Sequence, residues 1–462
     1  METMLEVKFR DRNHKISNLA PAKIIVLSFV ILILAGTLML LLPISSRDGK
    51  SVGLLGALFT ATSASCVTGL VVVDTYKHWT TFGQIVILLL IQIGGLGMVT
   101  LASFFSILLG RKVGLKGMLL AQESLNHFSF EGILKLIRKV VIITFAIELT
   151  GALLLSIRFV PAFGAKGFYL GLFHAVSAFC NAGFDLMSIA GNSEYMSFVG
   201  YNNDPLVVYT IAALIVIGGL GFIVWKDLYE YRLNKSLLLH TKVVLAVTIL
   251  LVLSGTIFFF VFEYNNPATM GNLNLLSKIN ASVFHSITPR TAGFNTLPLD
   301  QMREISKVMT IILMFIGAAP GSTAGGIKVT TFGVILIAII SQVKGSGDTI
   351  IFKRRVPHYI VNKSISIIGL AAVWIITVTT IMLEIEDKPF LNVLYEVTSA
   401  FGTVGLSTGI TPSLHSVSKV LLIVTMFLGR VGPLSFAIAL TLRRASKQKP
   451  DVVYPEGKIV VG

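Results

Sequence analysis

The chain has 462 residues, of which 54% are hydrophobic and only 13% charged, and its mean hydropathy is +0.82. So apolar a composition excludes an ordinary soluble domain and points to a polytopic membrane protein. The formal net charge of +15 would suggest nucleic acid in a soluble chain, but no nucleic-acid-binding signature accompanies it, and where the charges fall says more than their sum.

The N-terminal segment is basic (Lys8, Arg10, Arg12, Lys15) and leads into an apolar run from Ile24 to Pro43. That run is long enough to cross a bilayer, and longer than the apolar core of a signal peptide, so it reads as a retained span. Runs of the same kind extend from Val140 to Phe159, Val243 to Phe262 and Ser364 to Leu383. A short, weakly polar segment follows each of them: GLLGALFTATSA from Gly53, GFYLGLFHAVSA from Gly167, LSKINASVFHSI from Leu276 and PFLNVLYEVTSA from Pro389. About twelve residues of helix are too short to span the hydrocarbon core and suit a re-entrant half-helix.

After each half-helix the chain writes one phrase: SASCVTGL from Ser63, SAFCNAGF from Ser177, ITPRTAGF from Ile287 and SAFGTVGL from Ser399. Its glycines are Gly69, Gly183, Gly293 and Gly405, at intervals of 114, 110 and 112 residues. So regular a period marks structural units that assemble with their copies. A second apolar span closes each repeat, with QIGGLGM from Gln92, VIGGLGF from Val216 and FLGRVGP from Phe427 at corresponding places. The third repeat instead reads FIGAAPGSTAGGIK from Phe315, where a proline, small residues and three glycines should break the helix into a loop.

Two spans per repeat return the chain to its starting side, so the four repeats are parallel. The fold expected is all-α: eight spans and four re-entrant loops, arranged as helix–pore-helix–helix repeats around a central pore. The repeats occupy residues 1–112, 113–228, 229–345 and 346–462. Most basic residues lie in the N-terminal segment, the GRKVGLKG linker with Lys135, Arg138 and Lys139, the stretch Lys226 to Lys242, FKRRVPH and the tail from Arg443. By the positive-inside rule these places, and both termini, are cytoplasmic.

Non-helical backbone at membrane depth is tolerated where it lines a cavity, and four such loops around an axis can replace the hydration shell of a cation with carbonyls. Glycine permits the backbone angles required and keeps side chains out of the path. An isolated glycine would read as helix packing; four at one place in four repeats read as a filter.

Together these residues resemble the Trk/Ktr/HKT superfamily of potassium transporters over nearly the whole chain. Eight spans without an additional N-terminal pair resemble the membrane subunit of bacterial Ktr systems rather than the longer TrkH type. The resemblance implies a potassium filter formed by Val67, Thr68, Gly69 and Leu70, by Asn181, Ala182, Gly183 and Phe184, by Thr291, Ala292, Gly293 and Phe294, and by Thr403, Val404, Gly405 and Leu406. Serine in place of the first glycine is associated with sodium transport in the family, so Gly69 favours potassium, with a sodium-permeable or sodium-coupled carrier as the alternative and sodium as an activator left open. The resemblance also implies a homodimer in the bacterial cell membrane, in contact with lipid, on a cytoplasmic nucleotide-binding RCK-type ring. An intramembrane gate is implied at Gly317, Ala318, Ala319, Pro320, Gly321, Ser322, Thr323, Ala324, Gly325, Gly326 and Lys328.

Arg430 stands 25 residues after Gly405, at the place in FLGRVGP that Gly95 and Gly219 occupy in the GGLG motifs of the first two repeats. It is expected to point toward the axis below the filter, as a pore charge or as a buried arginine held by a helix. Arg290 is expected to brace the third loop. Glu148, within a span, is either a partner or a packed polar group. His174 and His285 are expected to be satisfied pore-helix residues, and Cys66 and Cys180, three residues before their glycines, to share a packing environment rather than a disulfide.

Two motifs mislead. GSTAGGIK from Gly321 lacks the P-loop lysine after Gly326 and no strand precedes it, and GLSTG from Gly405 fits a nucleophile elbow only inside a phrase whose other copies lack the serine. With no metal-ligand spacing and no nucleophile–base pair, no enzyme, no organic cofactor and no nucleic-acid partner are expected. A carrier with inverted repeats is the rival transport mechanism.

Overall fold

Four apolar runs lacking an interior helix breaker, apart from Pro161 near one end, fold into long helices: α1 (Pro21–Leu41), α4 (Ile133–Phe163), α8 (Leu239–Glu263) and α12 (His358–Ile385). Each is long and apolar enough to cross a membrane. In this computed structural model the described residues are 21–97, 133–191 and 194–432, with a few more between 100 and 106. The basic N-terminal segment, the GRKVGLKG linker and the tail from Arg443 lie outside the described residues.

The short segments form the half-helices α2 (Leu54–Ser65), α5 (Lys166–Phe179), α9 (Leu275–Ile287) and α13 (Phe390–Gly402). Between them come α3 (Thr81–Leu96), α6 (Pro205–Leu220), α10 (Glu304–Phe315) and α14 (Ser416–Val431). Their starts are written locally. Thr80 caps α3 through the Gly83 amide, and Asp204 caps α6 through Leu206 and Val207, with Pro205 supplying a first residue that needs no partner for a missing N–H. Asp204 also pairs with Arg158 Nε at 3.0 Å, tying the top of α6 to α4.

The helices that open the second spans are shorter than the long runs, and in the third repeat the expected break is present. α3 stops at Gly97 (φ +83) and α14 at Gly432 (φ +91). At Gly221 (φ +90) the chain turns by 92° between α6 and α7 (Phe222–Asn234). The third repeat leaves its helix at Ile316 and resumes in α11 (Val329–Val343). Left-handed glycines end the three regular helices because other residues pay a steric cost there. A two-residue hairpin, β1 (Ile350–Ile351) with β2 (Arg354–Arg355), precedes α12.

Packing follows one rule around the molecule. The half-helices α2, α5 and α13 each lie between the two helices of their own repeat, and α9 lies against α8. The second helix of each repeat also meets the next half-helix: α3 meets α5, α6 meets α9, α10 meets α13, and α14 returns to α2. Outward faces are apolar, with Leu38, Leu153, Ile257 and Val373 among the exposed side chains.

Three glycines permit the closest of these approaches. A Cβ on Gly94, Gly218 or Gly429 would lie 2.0 Å from the carbonyl oxygen of Ser65, Phe179 or Phe401, each at the C-terminal end of the same repeat's half-helix. No rotamer change relieves a clash with backbone, so Gly429→Ala should cost about 1–3 kcal/mol of stability. The check is thermal unfolding in detergent, with Gly369→Ala as control, since Gly369 has nothing within 4 Å of its Cβ position and should tolerate the methyl group.

Candidate functional site: four convergent glycine loops

The four half-helices end where the glycine phrases begin, and the phrases share one backbone. Val67, Asn181, Thr291 and Thr403 have φ of +58°, +60°, +74° and +50°, and the glycines two residues later have +91°, +70°, +82° and +88°. The residue before each glycine sends its N–H back to its half-helix: Thr68 to Ser63 O (2.8 Å), Ala182 to Ser177 O (2.7 Å), Ala292 to Thr288 O (3.0 Å) and Val404 to Ser399 O (2.8 Å). With the amides spent behind the loop, the carbonyls are left for the opposite side.

Hydroxyls complete the buttress. Ser63 Oγ accepts from the Gly69 amide at 3.0 Å and Ser399 Oγ from the Gly405 amide at 3.1 Å. In the other two repeats the hydroxyl donates instead, Ser177 Oγ to Phe184 O at 2.7 Å and Thr288 Oγ1 to Phe294 O at 2.6 Å. Sequence reasoning missed these roles, although the hydroxyls stood in or beside the quoted phrases, five or six residues before each glycine.

The loops meet one another in a closed circuit. A Cβ on Gly69 would lie 2.4 Å from Ala182 O, on Gly183 2.8 Å from Ala292 O, on Gly293 2.4 Å from Val404 O, and on Gly405 2.1 Å from Thr68 O. Each glycine's missing side chain is thus the space taken by the carbonyl preceding the next glycine. Leu70, Phe184, Phe294 and Leu406, one residue on, turn back into the core and are at most 1% exposed.

On one side of the loops is a cavity of about 610 Å³ whose lining includes all four glycines with Asp74, Asp185 and Asp300. Asp74 is buried and committed: it accepts from the amides of Tyr76 (3.0 Å), Lys77 (2.8 Å) and Tyr195 (2.9 Å) and from Ser188 Oγ, joining the first and second repeats. Asp185 keeps some exposure to the cavity while protein surrounds it closely. Neither aspartate was singled out from sequence.

On the other side lies the segment between α10 and α11. It folds back on itself through Gly317 N to Ile327 O (2.8 Å) and Val329 N to Ala318 O (3.1 Å). Its remaining bonds go to helix ends: Ala319 N to Gly219 O (3.0 Å), Phe222 N to Gly321 O (2.9 Å), Gly326 N to Gly429 O (3.3 Å) and Thr323 Oγ1 to Phe179 O (3.1 Å). Lys328 Nζ donates to Ala324 O at 2.8 Å and Gly325 O at 3.3 Å. A Cβ on Gly325 would lie 2.2 Å from Thr403 Oγ1 and one on Gly317 3.3 Å from Thr291 Cγ2, so the segment rests directly against the third and fourth loops. Pro320, Gly321 and Ser322 form its turn, with Ser322 Oγ bonded to Ala319 O at 2.7 Å.

Arg430 reaches this segment from α14. Its guanidinium donates to Thr323 O of the segment and to Gly94 O and Gly95 O at the end of α3, the last at 3.1 Å. Arg290 Nη2 bonds Thr248 Oγ1 of α8 at 3.1 Å, tying the third loop to its span. Glu148 receives Gln92 Nε2 at 3.3 Å and Cys180 Sγ at 3.8 Å. Both cysteines are free and buried. His174 is satisfied, through Leu170 O (2.7 Å) and the Leu186 amide (3.1 Å). His285 is not: among the described residues its ring nitrogens have no hydrogen-bond partner, and it packs edge-on to Phe259 and Phe284, which corrects the expectation for that residue.

Among the described residues no group of three or more His, Cys, Asp or Glu could hold a metal ion. The site offers backbone carbonyls, a cavity lined by aspartates and a carbonyl-bound arginine, which suits handling of a cation rather than bond chemistry.

The family model described as TrkH, "Cation transport protein", matches residues 1–448. The chain is 42% identical to the Ktr system potassium uptake protein B of Bacillus subtilis, over 98% of this chain and 99% of that protein. It is 40% identical to the protein of the same name from Vibrio alginolyticus, covering 95% and 94% of the two chains. Identity to the potassium/sodium uptake protein NtpJ of Enterococcus hirae is 38%, covering 96% and 98%. The crystal structure of the potassium transporter TrkH from Vibrio parahaemolyticus shares the fold, with a TM-score of 0.72 at 17% identity over 90% of this chain and 83% of that one. The relatives are transport proteins, and the chain is an integral membrane transporter rather than an enzyme. It belongs to the TrkH cation transport family, in which it matches Ktr-type membrane proteins along nearly its full length.

Proposed function

We propose that this chain is a potassium uptake pathway of the bacterial cell membrane, with both termini cytoplasmic and eight spans in four parallel repeats. The observation that carries the reading is the circuit of glycines, each facing the carbonyl before the next. Widened slightly, four such loops present rings of carbonyl oxygens to a dehydrated cation, and the half-helix C-termini add their negative ends. The acidic cavity is the outer entrance. Its carboxylates raise the local concentration of cations above the filter. The potassium uptake named for the Bacillus and Vibrio relatives supports this choice of ion.

The segment Gly317 to Lys328 is the gate in this reading. It lies across the path just past the filter, and Arg430 holds it there by a carbonyl contact to the segment and two to α3. A homodimer carrying a cytoplasmic RCK-type ring would move it between blocking and open arrangements. That is a two-state element biased from outside the membrane. The potassium/sodium name of the Enterococcus relative favours one second reading, in which sodium permeates, is coupled or activates. Glycine at all four filter positions favours potassium.

Three outcomes test the assignment. Gly69→Ser places a side chain against Ala182 O and should cut potassium-over-sodium discrimination by roughly tenfold, the equivalent of ~1.4 kcal/mol. Relative uptake of the two ions in transport-deficient cells reads it, and unchanged selectivity would remove Gly69 from the filter. Arg430→Gln loses charge-assisted bonds each worth about 1.5–3 kcal/mol. It should raise the maximal rate several-fold while leaving the apparent potassium affinity within about twofold. Deleting Ala318 to Gly325 should raise flux and weaken its dependence on the partner ring, measured in proteoliposomes with and without that ring. Ordinary flux with full dependence would show that the segment is not the gate.

A further inference from the structure

The second and fourth loops share a device that the first and third lack. Glu396 and His174 both stand nine residues before their glycines, on the face of α13 and α5 that backs the loop. Each accepts the backbone N–H three residues after the glycine: Thr408 N to Glu396 Oε1 at 3.1 Å, and Leu186 N to His174 Nε2 at 3.1 Å. Both side chains are 0% exposed. Glu396 also receives Ser407 Oγ on Oε1 and Thr411 Oγ1 on Oε2 at 2.8 Å. His174 donates from Nδ1 to Leu170 O, which leaves Nε2 free to accept and makes the ring a neutral acceptor.

The corresponding residues of the other repeats are Thr60 and Phe284, and phenylalanine has nothing to accept with. There the strand after Gly293 is held from the neighbouring repeat instead, by Phe198 N to Asn295 O (2.9 Å), Asn295 N to Ser197 Oγ (3.2 Å) and Asn202 Nδ2 to Thr296 O (2.8 Å). Since the loops follow one another around the circuit, the second and fourth face each other across the axis.

Two residues separate each glycine from the residue whose amide is tethered. The carbonyls of Gly405 and Leu406, and of Gly183 and Phe184, therefore lie between two fixed points: the buttress at the start of the loop and the tether at its outer end. A loop pinned at both ends resists the inward collapse that a smaller cation needs. A loop pinned at one end follows the ion. We propose that Glu396 and His174 are positioning residues, which hold the outer ends of two opposite filter loops and so set discrimination between potassium and sodium. The proposal rests on the reading of the four loops as the filter.

The test compares potassium and sodium uptake by full-length chains with their partner ring in transport-deficient cells. Glu396→Ala and His174→Phe remove the acceptor and should lower potassium-over-sodium discrimination at least threefold. Glu396→Gln and His174→Gln keep an acceptor oxygen and should restore most of it, a rescue that depends on the hydrogen bond rather than on packing alone. If Glu396→Ala fails to reach the membrane, Thr411→Val and Ser407→Ala loosen the same clamp from the loop side and should shift selectivity in the same direction. Wild-type selectivity in membrane-inserted variants that change only the maximal rate would overturn the proposal. Gly69→Ser separates the two levels: if it alters selectivity while the tether variants do not, the tether fails and the filter stands. If none of them alters it, the filter assignment itself fails.

Discussion

The rest of the molecule depends on one accounting rule: in a loop at membrane depth every backbone N–H needs a partner and the carbonyls must be left over. The glycine loops answer it by returning the amide before each glycine to the half-helix that delivers the loop, and in the first and fourth repeats a serine hydroxyl accepts the glycine amide as well. That solution needs a half-helix ending right behind each loop. It therefore needs a short helix wedged between two long ones, and glycine where the second helix crosses the half-helix terminus. Gly94, Gly218 and Gly429 answer the last demand by letting backbone touch backbone.

The same rule explains how a charge survives near the axis. An arginine buried without a counter-ion is costly. Arg430 meets three carbonyl oxygens, two of them at the C-terminal end of α3, where unpaired carbonyls concentrate negative potential. The guanidinium satisfies acceptors from the first and third repeats at once, although it belongs to the fourth. Lys328 does the same within its own segment. Both cations are thereby spent on backbone, which makes the broken third repeat a defined structure rather than slack chain.

Fourfold regularity holds closest to the axis and weakens outward. The glycine φ values agree within about 20° and the circuit closes, yet the hydroxyl buttress already alternates between accepting and donating. One layer further out each repeat differs: a carboxylate in the fourth, an imidazole in the second, a neighbour's loop around the third, and Asp74 binding the first to the second. Contacts between the glycines face their own copies and are constrained alike, whereas the layer behind them packs against loops that differ in length and sequence from repeat to repeat.

The long apolar runs, the short half-helices and the recurring phrase were legible in the sequence because each is a local pattern, and local patterns dictate helices and turns through spacing alone. The family and the four glycines followed from them. Tertiary structure decided what lay in contacts between residues far apart: that Arg430 would grip Thr323 and Gly94 rather than face open space, that Asp185 would overlook the loops, and that His174 and Glu396 would do one job with different chemistry. It also decided that the second helices end at Gly97, Gly221 and Gly432 and that the chain turns sharply at Gly221, and that His285 would be enclosed by aromatic rings with no hydrogen-bond partner among the described residues. Spacing specifies which residues can share a helix face, but the partner across the interface is chosen only when four repeats close into a ring.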